Sequence, residues 1–321
     1  MSYEEAEESI SKYSEFVKIG WNAGQDIKFF EEIDSVVICG MGASSISGDL
    51  LRTYLDINVP IFIVRNYKIP SFISKKALVF IISYSGETEE MISCFKSALG
   101  KGCYVVGVTS GGKLEDMCVR AHVKCVKVKP GFSPRSGFPM LFFGVLRVLN
   151  NSRLIEDQED YVEKTIDVLK GSIFKQKGAE LAEKLVGNIP LIYGSNQYEG
   201  VSYRWKTQLN ENAKVMAFSN TFPEMVHNEL QGFEDVDNSY YAIMILDESD
   251  HPKIKKKMEL TKQLIAEKKV SSTIISVKGS CKLSKIMSAI YIGDWTSFFL
   301  AKLKEIDPTP IGMIDRLKKS L

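Results

Sequence analysis

The sequence predicts an α/β protein in which one fold is built twice, as two doubly wound parallel sheets, each flanked by helices. Three observations carry that expectation. Leu78-Val79-Phe80-Ile81-Ile82 is a continuous apolar run, the signature of a strand buried on both faces in a parallel sheet. It passes without a break into Ser83-Tyr84-Ser85-Gly86-Glu87-Thr88 and then into a helical pattern, so strand, loop and helix form one βα unit. The pattern then restarts: Ile189-Pro190-Leu191-Ile192-Tyr193-Gly194-Ser195 echoes Val36-Val37-Ile38-Cys39-Gly40 from roughly 155 residues earlier. A chain of 321 residues has room for two such domains. The polar segment Asn150-Asn151-Ser152-Arg153 reads as the linker between them, giving domains 1–152 and 153–321.

The elements follow in order. Tyr3 to about Phe30 reads as an amphipathic helical opening interrupted near Gly20, and Ser35–Cys39 as the first strand. Gly40-Met41-Gly42-Ala43-Ser44-Ser45 opens like a dinucleotide fingerprint, but Ser45 stands where the third glycine belongs. Arg65 stands where an acidic residue should follow the strand Ile61–Val64, so a nucleotide cofactor has weak grounds. Ser44 instead opens a helix that runs to about Leu55, and a helix N-terminus attracts anions. At the 78–88 unit Thr88 reads as an N-cap, with Glu89 and Glu90 in the first turn. Three hydroxyls and free N–H groups thus meet at the positive end of a helix dipole, a place suited to phosphate. Glu87 must point away from any anion bound there. The strands Tyr104–Val108 and Val123–Val126 complete the first sheet.

Pro130 to Pro139 holds three prolines and two glycines around Arg135, a stiff frame that aims a guanidinium. Acidic helical sequence from Glu156 to about Gly187 precedes the second set of strands, Ile189–Ser195, Lys214–Phe218, Tyr240–Leu246 and Val270–Val277. The strand that matches 78–82 ends in Asp247-Glu248-Ser249-Asp250, where carboxylates cannot cradle a phosphate. The anion site is therefore expected in one half only. Three polar residues of the second half remain: Glu211 at a helix–strand junction, His227 in Phe222-Pro223-Glu224-Met225-Val226-His227-Asn228-Glu229-Leu230, and Lys302 within an apolar helical run. Taken singly, these read as a helix-end carboxylate, a surface histidine and a snorkelling lysine.

Bulk properties exclude several function classes. The formal charge of +1 leaves no electrostatic footprint for nucleic acid or an anionic membrane. The best apolar run, Met140 to Leu149, is too short to span a bilayer and contains Arg147. The acidic start Glu4-Glu5-Ala6-Glu7-Glu8 is the opposite of a signal peptide's basic region. The six cysteines (Cys39, Cys94, Cys103, Cys118, Cys125 and Cys281) contain no CxxC pair and read as reduced core thiols of a cytoplasmic protein. With three histidines, no metal site is expected.

Taken together, Ser-Tyr-Ser-Gly-x-Thr-Glu-Glu after a buried strand, Gly-Met-Gly-x-Ser, Pro-Arg before an apolar helix, Asn-Glu-Asn and His-Asn-Glu-Leu resemble the bifunctional phosphoglucose/phosphomannose isomerases. That family is a branch of the phosphoglucose isomerase superfamily with two sugar isomerase (SIS) domains, and the resemblance extends to Asp307-Pro308-Thr309-Pro310. It implies interconversion of glucose-6-phosphate and mannose-6-phosphate with fructose-6-phosphate, without cofactor or metal. It implies that Ser44, Ser83, Ser85 and Thr88 hold the sugar phosphate beside the backbone of Gly42 and Gly86. Arg135 would steady the charged intermediate, Glu211 would be the base, and His227 with Lys302 would open the ring. It also implies a homodimer, with His227 donated across the interface. The family commonly has Asn at the position of Glu87, and Lys304 lies close to Lys302 as an alternative.

The residue types suit that chemistry. A carboxylate can move a proton between C1 and C2 through a cis-enediolate, an arginine can stabilise the enediolate oxygens, and a histidine can carry protons near neutral pH. The alternative is a non-catalytic sugar-phosphate-binding SIS regulator, but that would carry a basic helix-turn-helix and would not need Glu211 and His227 together. An amidotransferase built on the same domains would need a further glutaminase domain.

Overall fold

The computed structural model describes residues 3–237 and 239–320. The chain divides into two compact units, Lys12–Asp167 and Val168–Leu321 with Met1–Ser11. Helix α1 (Tyr3–Ser11) therefore belongs with the second half.

The first unit runs α2 (Tyr13–Ala23), β1 (Ser35–Gly40), α3 (Ala43–Tyr54), β2 (Ile61–Val64), β3 (Ala77–Ile82), α4 (Glu89–Gly100), β4 (Tyr104–Thr109), α5 (Gly112–Arg120), β5 (Lys124–Lys127), α6 (Phe138–Asn151) and α7 (Glu159–Leu169). Its five strands are all parallel, in the order β2-β1-β3-β4-β5. Every residue of β1 and β3 is buried, which is why both read as unbroken apolar runs. On one face Val37, Val79 and Ile81 pack with Met91, Phe95 and Leu114 into a continuous core.

Two expectations for this unit need correction. Gly20 does not interrupt the opening helix; the break falls at Lys12, and Gly20 lies inside α2. A Cβ there would meet the carbonyl oxygen of Met140 at 2.5 Å, so the glycine lets α2 and α6 touch backbone to backbone. Asn150–Arg153 is not a loose linker either. It closes α6, and the Asn151 amide donates to the carbonyls of Gly24, Gln25 and Ile27.

The second unit adds α8 (Ile173–Leu185), β6 (Ile189–Ser195), α9 (Glu199–Glu211), β7 (Phe218–Phe222), β8 (Tyr240–Leu246), α10 (Pro252–Glu267), β9 (Ser271–Ser276), α11 (Lys282–Leu303) and α12 (Gly312–Lys319). Its strands are again parallel, in the order β7-β6-β8-β9. The strand expected at Lys214–Phe218 lies four places further on. Lys214 has φ +53°, which no strand residue adopts, and the chain straightens only at Phe218. The long α11 is buried along most of its length. Glycines let it pack closely, since a Cβ at Gly178 would meet Trp295 at 2.4 Å and one at Gly293 would meet Trp205 at 2.4 Å. Inside this unit Arg204 of α9, fully buried, bonds Asp294 of α11 at 2.6 Å.

Candidate active site

In a doubly wound sheet the ligand crevice opens where consecutive strands part in opposite directions. In the first sheet that point lies between β1 and β3, which pair in register as far as Gly40↔Ile82. The loops that follow them carry four of the expected phosphate contacts. After β1, Gly42 turns the chain at φ +52°, and Ser44 lies buried in the first turn of α3. Gly42 is the N-cap residue and has no side chain to offer, and the Ser45 hydroxyl bonds the Gly42 carbonyl, so no side chain caps the N-terminus of α3.

After β3 the loop is tightly bonded to itself. Ser83, only 1% exposed, accepts the N–H of Gly86 on its Oγ (3.1 Å) and shares a hydrogen bond with the Thr88 hydroxyl (2.9 Å). Gly86 has φ +73°, and a Cβ there would fall 1.9 Å from the Gly111 carbonyl oxygen; the position admits no side chain. Thr88 stands at the N-cap position, but its hydroxyl is turned to Ser83 and does not cap the helix. The first N–H groups of α4 are thus left without a side-chain cap, and the positive end of its dipole faces the crevice loop. Ser85 is exposed beside it. Glu87 bonds the N–H of Lys113 (2.8 Å), so its charge serves the N-terminus of α5 and not that of α4.

Tyr84 joins this loop to the one bearing Arg135. Its hydroxyl donates to the carbonyl of Lys129 (2.9 Å) and accepts the N–H of Phe132 (3.1 Å). Its ring lies where a Cβ on Gly137 would meet it at 2.6 Å. Burial pushes the Tyr84 phenol up, and it stays protonated as the bonding requires. Arg135, 8% exposed, is held in the turn that enters α6. Sequence reasoning passed over Tyr84 because its partners lie 45 and 48 residues away.

In the second unit the three expected residues stand on three elements. Glu211 is the last residue of α9, half-buried. It lines a cleft of about 610 Å³ with apolar walls from Val215, Met216, Ile311 and Met313. Lys214 Nζ bonds the carbonyls of Glu211 (2.5 Å) and Pro308 (3.2 Å), tying the end of α9 to the closing segment of the chain. The next residue, Asn212, donates to Ser297 on α11 (2.9 Å). His227 ends a short 3-10 turn after β7 and is exposed. Lys302 is exposed in the last turn of α11, whereas Lys304 Nζ bonds the carbonyl of Ala213 (3.3 Å).

The equivalent crevice of the second sheet, between β6 and β8, is filled by the protein's own anion. Asp247, 3% exposed, accepts bonds from Tyr198 OH (2.6 Å), Lys285 Nζ (2.8 Å) and the N–H of Ser249 (2.9 Å). Burial alone would raise this carboxyl, but those donors outweigh it and hold it below the usual range. A carboxylate so provided for leaves no place there for a phosphate. Among the described residues no group of His, Cys, Asp or Glu could hold a metal ion, and no helix is long and apolar enough to cross a membrane.

Residues 174–321 match the family model of the bacterial phospho-glucose isomerase C-terminal SIS domain. The chain is 35% identical over 319 residues to a bifunctional phosphoglucose/phosphomannose isomerase of Caldicellulosiruptor bescii, covering 95% of this chain and 94% of that one. It is 34% identical over 292 residues to an enzyme of the same name from Aquifex aeolicus, covering 89% and 90%. Among solved structures, the C-terminal domain of glucosamine-fructose-6-phosphate aminotransferase from Francisella tularensis superposes with a TM-score of 0.76 at 14% identity, covering 94% of this chain and 97% of that one. This last likeness concerns the fold alone.

Proposed function

The chain belongs to the family of bifunctional phosphoglucose/phosphomannose isomerases, and from that premise we propose how its residues divide the work of an aldose–ketose isomerase. It interconverts glucose-6-phosphate and mannose-6-phosphate with fructose-6-phosphate by moving a proton between C1 and C2. The observation that carries the reading is the uncapped start of α4 beneath the Ser83–Thr88 hydroxyls, at the switch point of the first sheet. Ser44, Ser83, Ser85 and Thr88, with the backbone at Gly42 and Gly86, take the phosphate; helix dipoles and N–H groups offset its charge. Remote binding energy of this kind positions the reacting carbons without touching them.

Arg135 stabilises the enediolate oxygens. Glu211 transfers the proton from its apolar-walled cleft, and His227 with Lys302 opens the ring. Lys302 is preferred to Lys304 because Lys304 is already bonded to the backbone beside Glu211. No step calls on a metal or cofactor. The reading is tested by following the three hexose phosphates with purified protein in EDTA. Interconversion should persist; loss of activity restored by a divalent cation would overturn it. The proposed compartment is the cytoplasm, which keeps the six free thiols reduced.

Replacing Ser83 and Ser85 together by Ala removes two hydrogen bonds to a charged group, about 1.5–3 kcal/mol each. KM for the sugar phosphate should rise at least about tenfold. Because Ser83 also bonds Gly86 and Thr88, the melting temperature of the variant is measured alongside. A folded variant with unchanged KM would refute the assignment.

A homodimer with His227 given across the interface fits the exposure of that residue. Mixing a Glu211 variant with a His227 variant under subunit exchange should restore part of the activity, since each mixed dimer then holds one intact site. Demonstrated exchange without recovery would mean that each chain builds its own.

A further inference from the structure

The segment that carries His227 is built of two short 3-10 turns, Glu224–His227 and Glu229–Asp235, each seated on the core of the unit by one buried side chain, Met225 and Phe233. Beside those apolar contacts, Glu229 gives it a polar tie to the sheet. Glu229 accepts a hydrogen bond from Tyr193 OH on one carboxylate oxygen (2.6 Å) and from Asn220 Nδ2 on the other (2.6 Å). Tyr193 on β6 and Asn220 on β7 are direct cross-strand neighbours, so a single carboxylate spans both strands. The tie continues along the turn: the N–H of Glu229 bonds Asn228 Oδ1 (2.6 Å), and Asn228 Nδ2 bonds Glu224 Oε1 (2.7 Å). Both ends of the turn that presents His227 are therefore fastened. Tyr193 is fully buried; burial first, and then the charge of Glu229, push its phenol up and keep it a donor.

We infer that Glu229 is a positioning residue for ring opening, holding the His227 turn in place by bonding it to β6 and β7. The inference rests on the ring-opening role proposed for His227. A merely structural Glu229 would lower stability and depress all substrates alike. A positioning Glu229 instead weakens only the step that His227 performs.

The test uses the full-length protein carrying Glu229→Ala or Tyr193→Phe, with His227→Ala as reference. Each is assayed on glucose-6-phosphate and on a four-carbon aldose phosphate, which lacks the free hydroxyl needed to close a ring. Misplacing a reacting group costs on the order of 10–100-fold. Glu229→Ala should lower kcat on the ring substrate by that amount, with KM and turnover of the acyclic substrate near wild type. Tyr193→Phe keeps the ring packing and one donor, so it should shift the same ratio less. The inference is overturned if both substrates fall together in folded protein, or if neither variant changes ring turnover while His227→Ala does. A His227→Ala enzyme equally impaired on both substrates would defeat the ring-opening reading, and this inference with it.

Discussion

Glu211→Gln should reduce turnover by about 10²–10⁴-fold on every substrate, the usual cost of losing a general base. Gln keeps the size and hydrogen bonding of the side chain at the end of α9 but cannot accept the proton. Exchange of the C2 proton with solvent should collapse in parallel, while sugar-phosphate binding survives because the proposed phosphate contacts lie after β1 and β3. His227→Ala should behave differently: ring substrates fail, and a four-carbon aldose phosphate is relatively spared. The two variants together predict a crossover, read from kcat on cyclic and acyclic substrates. Equal loss on the acyclic substrate in His227→Ala would move His227 into proton transfer and undo the division of roles.

The second large effect concerns stability. Asp294→Ala removes the carboxylate that sits 2.6 Å from the buried guanidinium of Arg204. Withdrawing one partner of a buried pair costs about 3–5 kcal/mol, because the remaining charge is stranded away from water. For a unit of this size that corresponds to a fall of roughly 6–20 °C in Tm. Replacing both residues, as Arg204→Met with Asp294→Leu, should cost less than Asp294→Ala alone, since no charge is then left behind. Thermal melts of the single and double variants decide the matter. A double variant as unstable as the single one would mean that the pair contributes by its specific geometry and not by mutual neutralisation. The pair links α9 to α11, so activity should fall with the folded fraction in these variants and not ahead of it.

The elements legible in the sequence were those whose signal is local. β1 and β3 are buried on both faces, and that alone makes them continuous apolar runs. β7 was misplaced because Phe218-Ser219-Asn220-Thr221-Phe222 is a half-polar edge strand. The preceding Lys214–Phe218 has the more continuous apolar run, Val215 to Phe218, but a left-handed backbone at its start. Gly20 looked like a break because a glycine in a helix usually weakens it; only the approach of α6 explains its presence.

The same division runs through the site. The hydroxyl loop after β3 was readable because its strand, turn and helix start are contiguous. Thr88, read as a cap, was misjudged because its choice of Ser83 over the α4 backbone depends on how the loop folds back. The partners of Tyr84, Tyr193 and Lys285 carried no signal at all. Their bonds span 36 to 48 residues, distances at which neither periodicity nor spacing constrains a partner.

By itself, then, the sequence determined the duplicated parallel α/β architecture and the loop chemistry at the strand ends, since period and turn composition are properties of neighbouring residues. It also placed carboxylates, Asp247 to Asp250, at the strand end of the second half where the first half has hydroxyls. Only the tertiary structure decided that Glu87 turns to α5, that Tyr84 brackets the Arg135 loop, that Asp247 is held by Lys285 and Tyr198, and that Glu229 bonds Tyr193 and Asn220. Each of these polar groups finds a partner that the folded chain brings to it, and folding joins residues that the sequence itself keeps far apart.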